Sequence, residues 1–174
     1  MKRALTIMTL LTAFGASGSA IRVSDAASRS LSMEQMFARA DRVVVGRVSR
    51  VASRWAEWEG VGRVIVTRCT VVVEESLGGR DRGESVAEIE VEVPGGTVGD
   101  LTLVVSDAPA LLDGERAVFF LVEGASGGTH RIYGLESGKL PLRGARIVAN
   151  PGLVSGPCST LDDVRRAAKA DGSR

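Results

Sequence analysis

Between Ala87 and Val93 apolar and acidic positions alternate, with Ala87, Ile89, Val91 and Val93 set against Glu88, Glu90 and Glu92. A period of two predicts a strand with one buried and one wet face. Pro94-Gly95-Gly96 stops it, because proline lacks a ladder donor and glycine permits bends that other residues resist. Arg116 to Val122 is almost continuously apolar and predicts a central strand covered on both sides, with Phe119 and Phe120 anchoring the core and a neighbouring layer.

Further strands are expected at Arg42–Ala52, where Gly46 suggests a bulge or bend, and at Val61–Glu75, which is long and apolar on both faces. With Ser85–Val93 these form a meander. Leu101–Ser106, His130–Leu135, Lys139–Arg143 and Arg146–Ala149 read as shorter strands, with Pro141 expected at an edge. Ser53–Gly62 reads as a hairpin connection carrying Trp55 and Trp58. Two tryptophans there suggest a stacking platform for a sugar or base, or side chains folded over an open barrel end; the second reading is favoured.

Helical signals occur at both ends of this β-rich stretch. Ser32-Met33-Glu34-Gln35 is a capping-box start for a short helix ending near Asp41, with Met36, Phe37 and Ala40 on one stripe. Ser159 or Thr160 caps a second helix whose first turn holds Asp162 and Asp163, where negative charge suits the helix dipole.

The first twenty residues read as a signal peptide. Lys2 and Arg3 precede an apolar run from Ala4 to Phe14, and Gly18-Ser19-Ala20 is the expected cleavage site, with Ser24-Asp25-Ala26 the alternative. The run is too short to span a bilayer and no later segment qualifies, so a secreted or periplasmic protein with no membrane span is expected. The organisation expected is signal peptide 1–20, flexible leader 21–30, an OB-like β-barrel domain over 31–149, and linker plus C-terminal helix over 150–174.

The whole chain holds 22 Lys and Arg against 21 Asp and Glu; without residues 1–20 the balance is 20 against 21. Near-neutrality gives no electrostatic reason to expect nucleic acid or anionic membrane as a partner. Aromatic residues are few, so Val, Leu and Ile must fill the core, which leans toward sheet.

Candidate chemistry is sparse. In an oxidising compartment Cys69 and Cys158 are expected to pair, a bond that would stabilise by about 4–5 kcal/mol in the chain-entropy model. The alternative is a small core residue and a free thiol. His130, the single histidine, has no G-x-S-x-G elbow to serve and reads as an exposed loop residue. No catalytic residue is assigned. One histidine and two distant cysteines lack metal-site spacing, and the acidic residues include no calcium loop. Gly95, Gly96 and Gly99 hint at a phosphate cradle, but the Lys-Ser/Thr of a P-loop is missing and no helix follows, so turn geometry is preferred and no cofactor is expected.

Taken in order, ADRVVVGRV, TRCTVVVEESLGG, the alternating strand with PGG, and DGERAVFFLV resemble exported bacterial domains with an OB-like barrel. These are similar to netrin-type modules and the tissue inhibitors of metalloproteinases. The resemblance covers Leu31 to Leu142 and implies a five-stranded Greek-key barrel flanked by helices, with a role in binding. Those inhibitors chelate zinc through a cysteine at the mature N-terminus, and neither Ile21 nor Ala27 is one. Their dense disulfide framework is also missing, so no inhibitory residue carries over. The expected function is a non-catalytic binding domain that engages a protein partner through Trp55, Trp58, Gly95, Gly96, Thr97 and Asp100. A barrel binding carbohydrate or another small ligand is the alternative, and a hydrolase comes third.

Overall fold

The computed structural model describes residues 31–81, 86–124, 127–148 and 158–172. The expected signal peptide and leader, and the linker over 150–157, lie outside the described residues. The elements run α1 (Met33–Arg39), β1 (Arg42–Trp58), β2 (Gly62–Gly78), β3 (Glu88–Pro94), β4 (Gly96–Val98), β5 (Leu101–Leu103), β6 (Arg116–Glu123), β7 (Thr129–Ile132), a 3₁₀ turn (Leu135–Gly138), β8 (Lys139–Arg143), β9 (Arg146–Ile147) and α2 (Leu161–Gly172).

Five strands close into a small OB-like barrel. The meander β1-β2-β3 continues to β7, then β6, and β6 returns to β1 through pairs such as Val44 with Phe119 and Gly46 with Ala117. All ring pairings are antiparallel except β3 with β7, where Val91 lies opposite His130 in a parallel ladder. That parallel pair departs from the all-antiparallel barrel expected, because the chain crosses from β3 to β6 before laying β7 against β3.

Closure requires β1 to bend. Its register against β2 shifts at Val43/Val44, at Val45/Gly46 and again between Ser49 and Ala52. Gly46 is required by crowding: a Cβ there would overlap Val71 Cγ1 and lie 2.9 Å from the Val72 carbonyl oxygen. The expected bulge is therefore present, and it lets one strand serve two sides of the barrel.

Alternation on β6 divides the core into two layers. Phe119 joins Val44, Val48, Cys69, Val71 and Val91 inside the barrel. Phe120 points outward to Met36, Phe37, Val43, Val45, Leu140, Leu161 and Val164 beneath the two helices. Phe37 meets Phe120 edge to face, with ring centroids 5.3 Å apart. Burial of each such ring contributes about 1.5–3 kcal/mol.

Both helix starts are capped. Ser32 and Gln35 exchange hydrogen bonds, Gln35 N to Ser32 Oγ at 3.2 Å and Ser32 N to Gln35 Oε1 at 3.0 Å. At α2 the cap is Thr160, whose Oγ1 accepts from Asp163 N while Asp163 Oδ2 accepts from Thr160 N at 2.9 Å.

Two expectations change here. Pro141 is flanked on both sides, facing Ala117 of β6 and giving its carbonyl to Val148 N at 2.8 Å, so β8 is not a free edge. The Cys69–Cys158 disulfide is absent and both thiols are free. Cys69 lies inside the barrel while Cys158 packs on the outer layer, and the β1–β6 wall stands between those layers.

Candidate functional site

Beyond the barrel, β1 and β2 continue as a two-stranded arm. Ser53 to Trp58 pairs in unbroken register with Thr67 to Gly62, so the segment expected as a loop is strand and only residues 59–61 turn. The physical reason is a second alternation, Ser53, Trp55, Glu57 against Arg54, Ala56, Trp58, which pairs across the arm with the Val- and Ile-rich β2. In a regular strand, positions three apart face opposite sides. Trp55 and Trp58 therefore serve different surfaces, and they form no common platform.

On the Trp55 side, the small sheet β4–β5 rests against the arm. Gly95 N donates to Ile65 O at 2.9 Å, and Thr67 Oγ1 donates to Gly95 O at 2.8 Å while lying 3.0 Å from Ser53 Oγ. Gly96, at φ +127°, sits so close that a Cβ would overlap the Ser53 and Thr67 hydroxyls. Thr97 leads back through the Gly99-Asp100 turn to Thr102, the two hydroxyls 2.9 Å apart, and Asp100 is exposed at the tip. The glycines thus fasten a hairpin to the arm. This hairpin shortens the strand expected over Leu101–Ser106 to Leu101–Leu103.

Around this junction large apolar side chains face solvent. Trp55 is 40% exposed, Leu101 59% and Val104 84%. Arg63 lies over the Trp55 ring at 5.3 Å.

The Trp58 side is different. Here Glu92, expected on a solvated face, is almost entirely covered, its side chain 8% exposed between Arg54 and Arg68, each 2.7 Å from Oε1. Burial alone would raise the Glu92 carboxyl, but the hydrogen bonds from Arg54 and Arg68 outweigh it and hold the group below its ordinary value. Glu88 and Glu90 extend the pattern with Arg50 and Arg68. Next along, Arg131 stacks on Trp58, 4.1 Å from the ring centroid.

His130 is neither in a loop nor fully exposed. It lies on β7, partly buried, and its Nδ1 is enclosed with no hydrogen-bond partner. Burial and then the Arg42 guanidinium lower its basicity, against weaker opposing pulls from Glu123, Asp41 and Asp81. Cys69 is enclosed by apolar neighbours that push its thiol up to about 12, so it is a poor nucleophile at neutral pH. Among the described residues no group of three or more His, Cys, Asp and Glu side chains is placed to hold a metal ion. No described helix is long and apolar enough to cross a membrane.

Sequence reasoning missed the Arg–Glu lattice. Its signal is the coincidence of Arg50 and Arg54, Arg68, and Glu88, Glu90 and Glu92 on three successive strands of one meander, which charge alternation on a single strand does not reveal. No family model, curated protein or solved structure matches the chain.

Proposed function

We propose that this protein is an exported, non-catalytic binding domain that engages a protein partner through Trp55 and the β4–β5 hairpin. The observation that carries the reading is the exposure of Trp55, Leu101 and Val104 at one junction of two fastened hairpins. Tryptophan is enriched where interfaces concentrate their energy. The hydrogen bonds from Thr67 Oγ1 to Gly95 O and from Gly95 N to Ile65 O pre-organise the hairpin, which lowers the entropic cost of binding. The resemblance to netrin-type modules supports the same reading.

The test is site-specific photo-cross-linking in the producing cell. A photoreactive residue at Val104 is expected to give a discrete adduct with one protein, while the same residue at Glu34, exposed on α1, gives none. Absence of an adduct from Val104, or equal labelling from both positions, contradicts the proposal.

A further inference from the structure

The opposite side of the arm carries a separate cleft of about 200 Å³, walled by Trp58, Pro94, Tyr133 and Leu135, with Arg131 at its border and Glu92 beneath. Its volume is slightly larger than the roughly 150 Å³ apolar cavities that admit one aromatic ring. Its surface is carbon almost throughout, so a ligand's apolar body gains from leaving water there.

The charges around it are unevenly satisfied. Arg54 and Arg68 are committed to Glu92 at 2.7 Å. Arg131 meets Glu59 only at 3.7 Å, beyond hydrogen-bond length, and that glutamate's side chain is 72% exposed. With Glu90, which also pairs with Arg68 at 2.8 Å, the group of Arg54, Arg68, Arg131, Glu92, Glu90 and Glu59 balances three cations against three anions, and Arg131 is the cation held least closely. The Trp58 ring fixes one face of the Arg131 guanidinium, and its planar N–H donors suit a bidentate carboxylate.

We propose that the Trp58–Tyr133 cleft binds an apolar group bearing a carboxylate, with the apolar body against Trp58 and Tyr133 and the carboxylate on Arg131. One chemistry has two sources, a free small acid or the C-terminal residue of a peptide. The site lies on the other face of the arm from Trp55 and does not depend on the partner surface proposed above.

The experiment uses a Trp55→Phe background, which leaves Trp58 as the sole tryptophan emitter. The probes are 3-phenylpropionate and its methyl ester, and glycyl-glycyl-phenylalanine with a free or amidated terminus, each titrated to about 10 mM, where ligands of this size bind at ordinary efficiency. A saturable change in Trp58 emission is expected with at least one free acid. The neutral ester or amide should bind about tenfold more weakly or less, and Arg131→Gln should weaken the acid by a similar factor. Saturation by both free acids gives a site open to either source; by the peptide acid alone, one for chain ends; by phenylpropionate alone, one for free small acids. Each of these supports the proposal. No saturation by either acid, or equal binding of acid and neutral form in the unsubstituted pocket, overturns it whatever Arg131→Gln does to folding.

Discussion

Glu92 shows how a single side chain takes its character from strands far away in sequence. Its strand predicts an exposed carboxylate, but Arg54 from β1 and Arg68 from β2 close over it. His130 shows the same dependence in reverse, since a residue beside a Gly-rich segment becomes partly buried once β7 enters the barrel. Because burial and Arg42 lower its basicity below the ordinary 6.5, the unfolded chain takes up a proton that the folded chain resists. Stability is therefore expected to fall as pH drops below about 6.5. This is above the range in which Asp41 and Glu92, held below 3.8 and 4.5, are protonated and withdraw their own contribution. Urea midpoints measured between about pH 7.5 and 5 check this, and His130→Gln should flatten the slope. The thiols give a second test at this scale. Unfolding the protein in guanidinium without reductant should expose two reactive thiols, and in the native state Cys69 should resist iodoacetamide. Two blocked thiols without reductant would restore the disulfide.

At the scale of elements, short-range signals were legible wherever the interaction is local. The Ser32 capping box, the alternation of β3, the apolar β6 and the bend at Gly46 all follow from residues within one element or its neighbour. The division of Phe119 and Phe120 between two layers follows from alternation alone. The β1 half of the arm was not legible, because its side chains are exposed or half-buried and tryptophans separated by polar residues resemble a decorated loop, whereas the β2 half, with Ile65 and Val66 buried, falls within the strand expected over Val61–Glu75. The β4–β5 hairpin was hidden for a related reason: its Gly95 and Gly96 read as a turn, whereas Gly96 begins a short strand seated on Ser53 and Thr67. Gly96→Val is expected to lower stability by about 2 kcal/mol or more, since it sets a β-branched residue at positive φ against two hydroxyls. Thermal unfolding reads the loss. An unchanged melting temperature would contradict the close packing described, and loss of binding without loss of stability would move Gly96 from architecture to ligand contact.

For the whole molecule, a barrel built mainly from Val, Leu and Ile is closed by a parallel β3–β7 pair and stapled on one side by two capped helices. Strand order was only partly readable, since the meander is sequential but β7 joins β3 across a long crossover. The helical side is occupied by its own layer, and the Arg–Glu lattice largely neutralises the outer face of the meander. The end of the barrel bearing the arm and hairpin is left to present apolar groups. The two tryptophans divide that end, Trp55 lying on the side of the hairpin, where the partner surface is proposed, and Trp58 on a small cleft. The measurement that tests this most directly is the yield of the Val104 cross-linked adduct in Trp55→Ala and Trp58→Ala proteins of equal abundance. A loss of about tenfold is expected for Trp55→Ala, the usual scale for an interface anchor, with little change for Trp58→Ala. Equal loss in both, or an adduct indifferent to Trp55, would contradict the account.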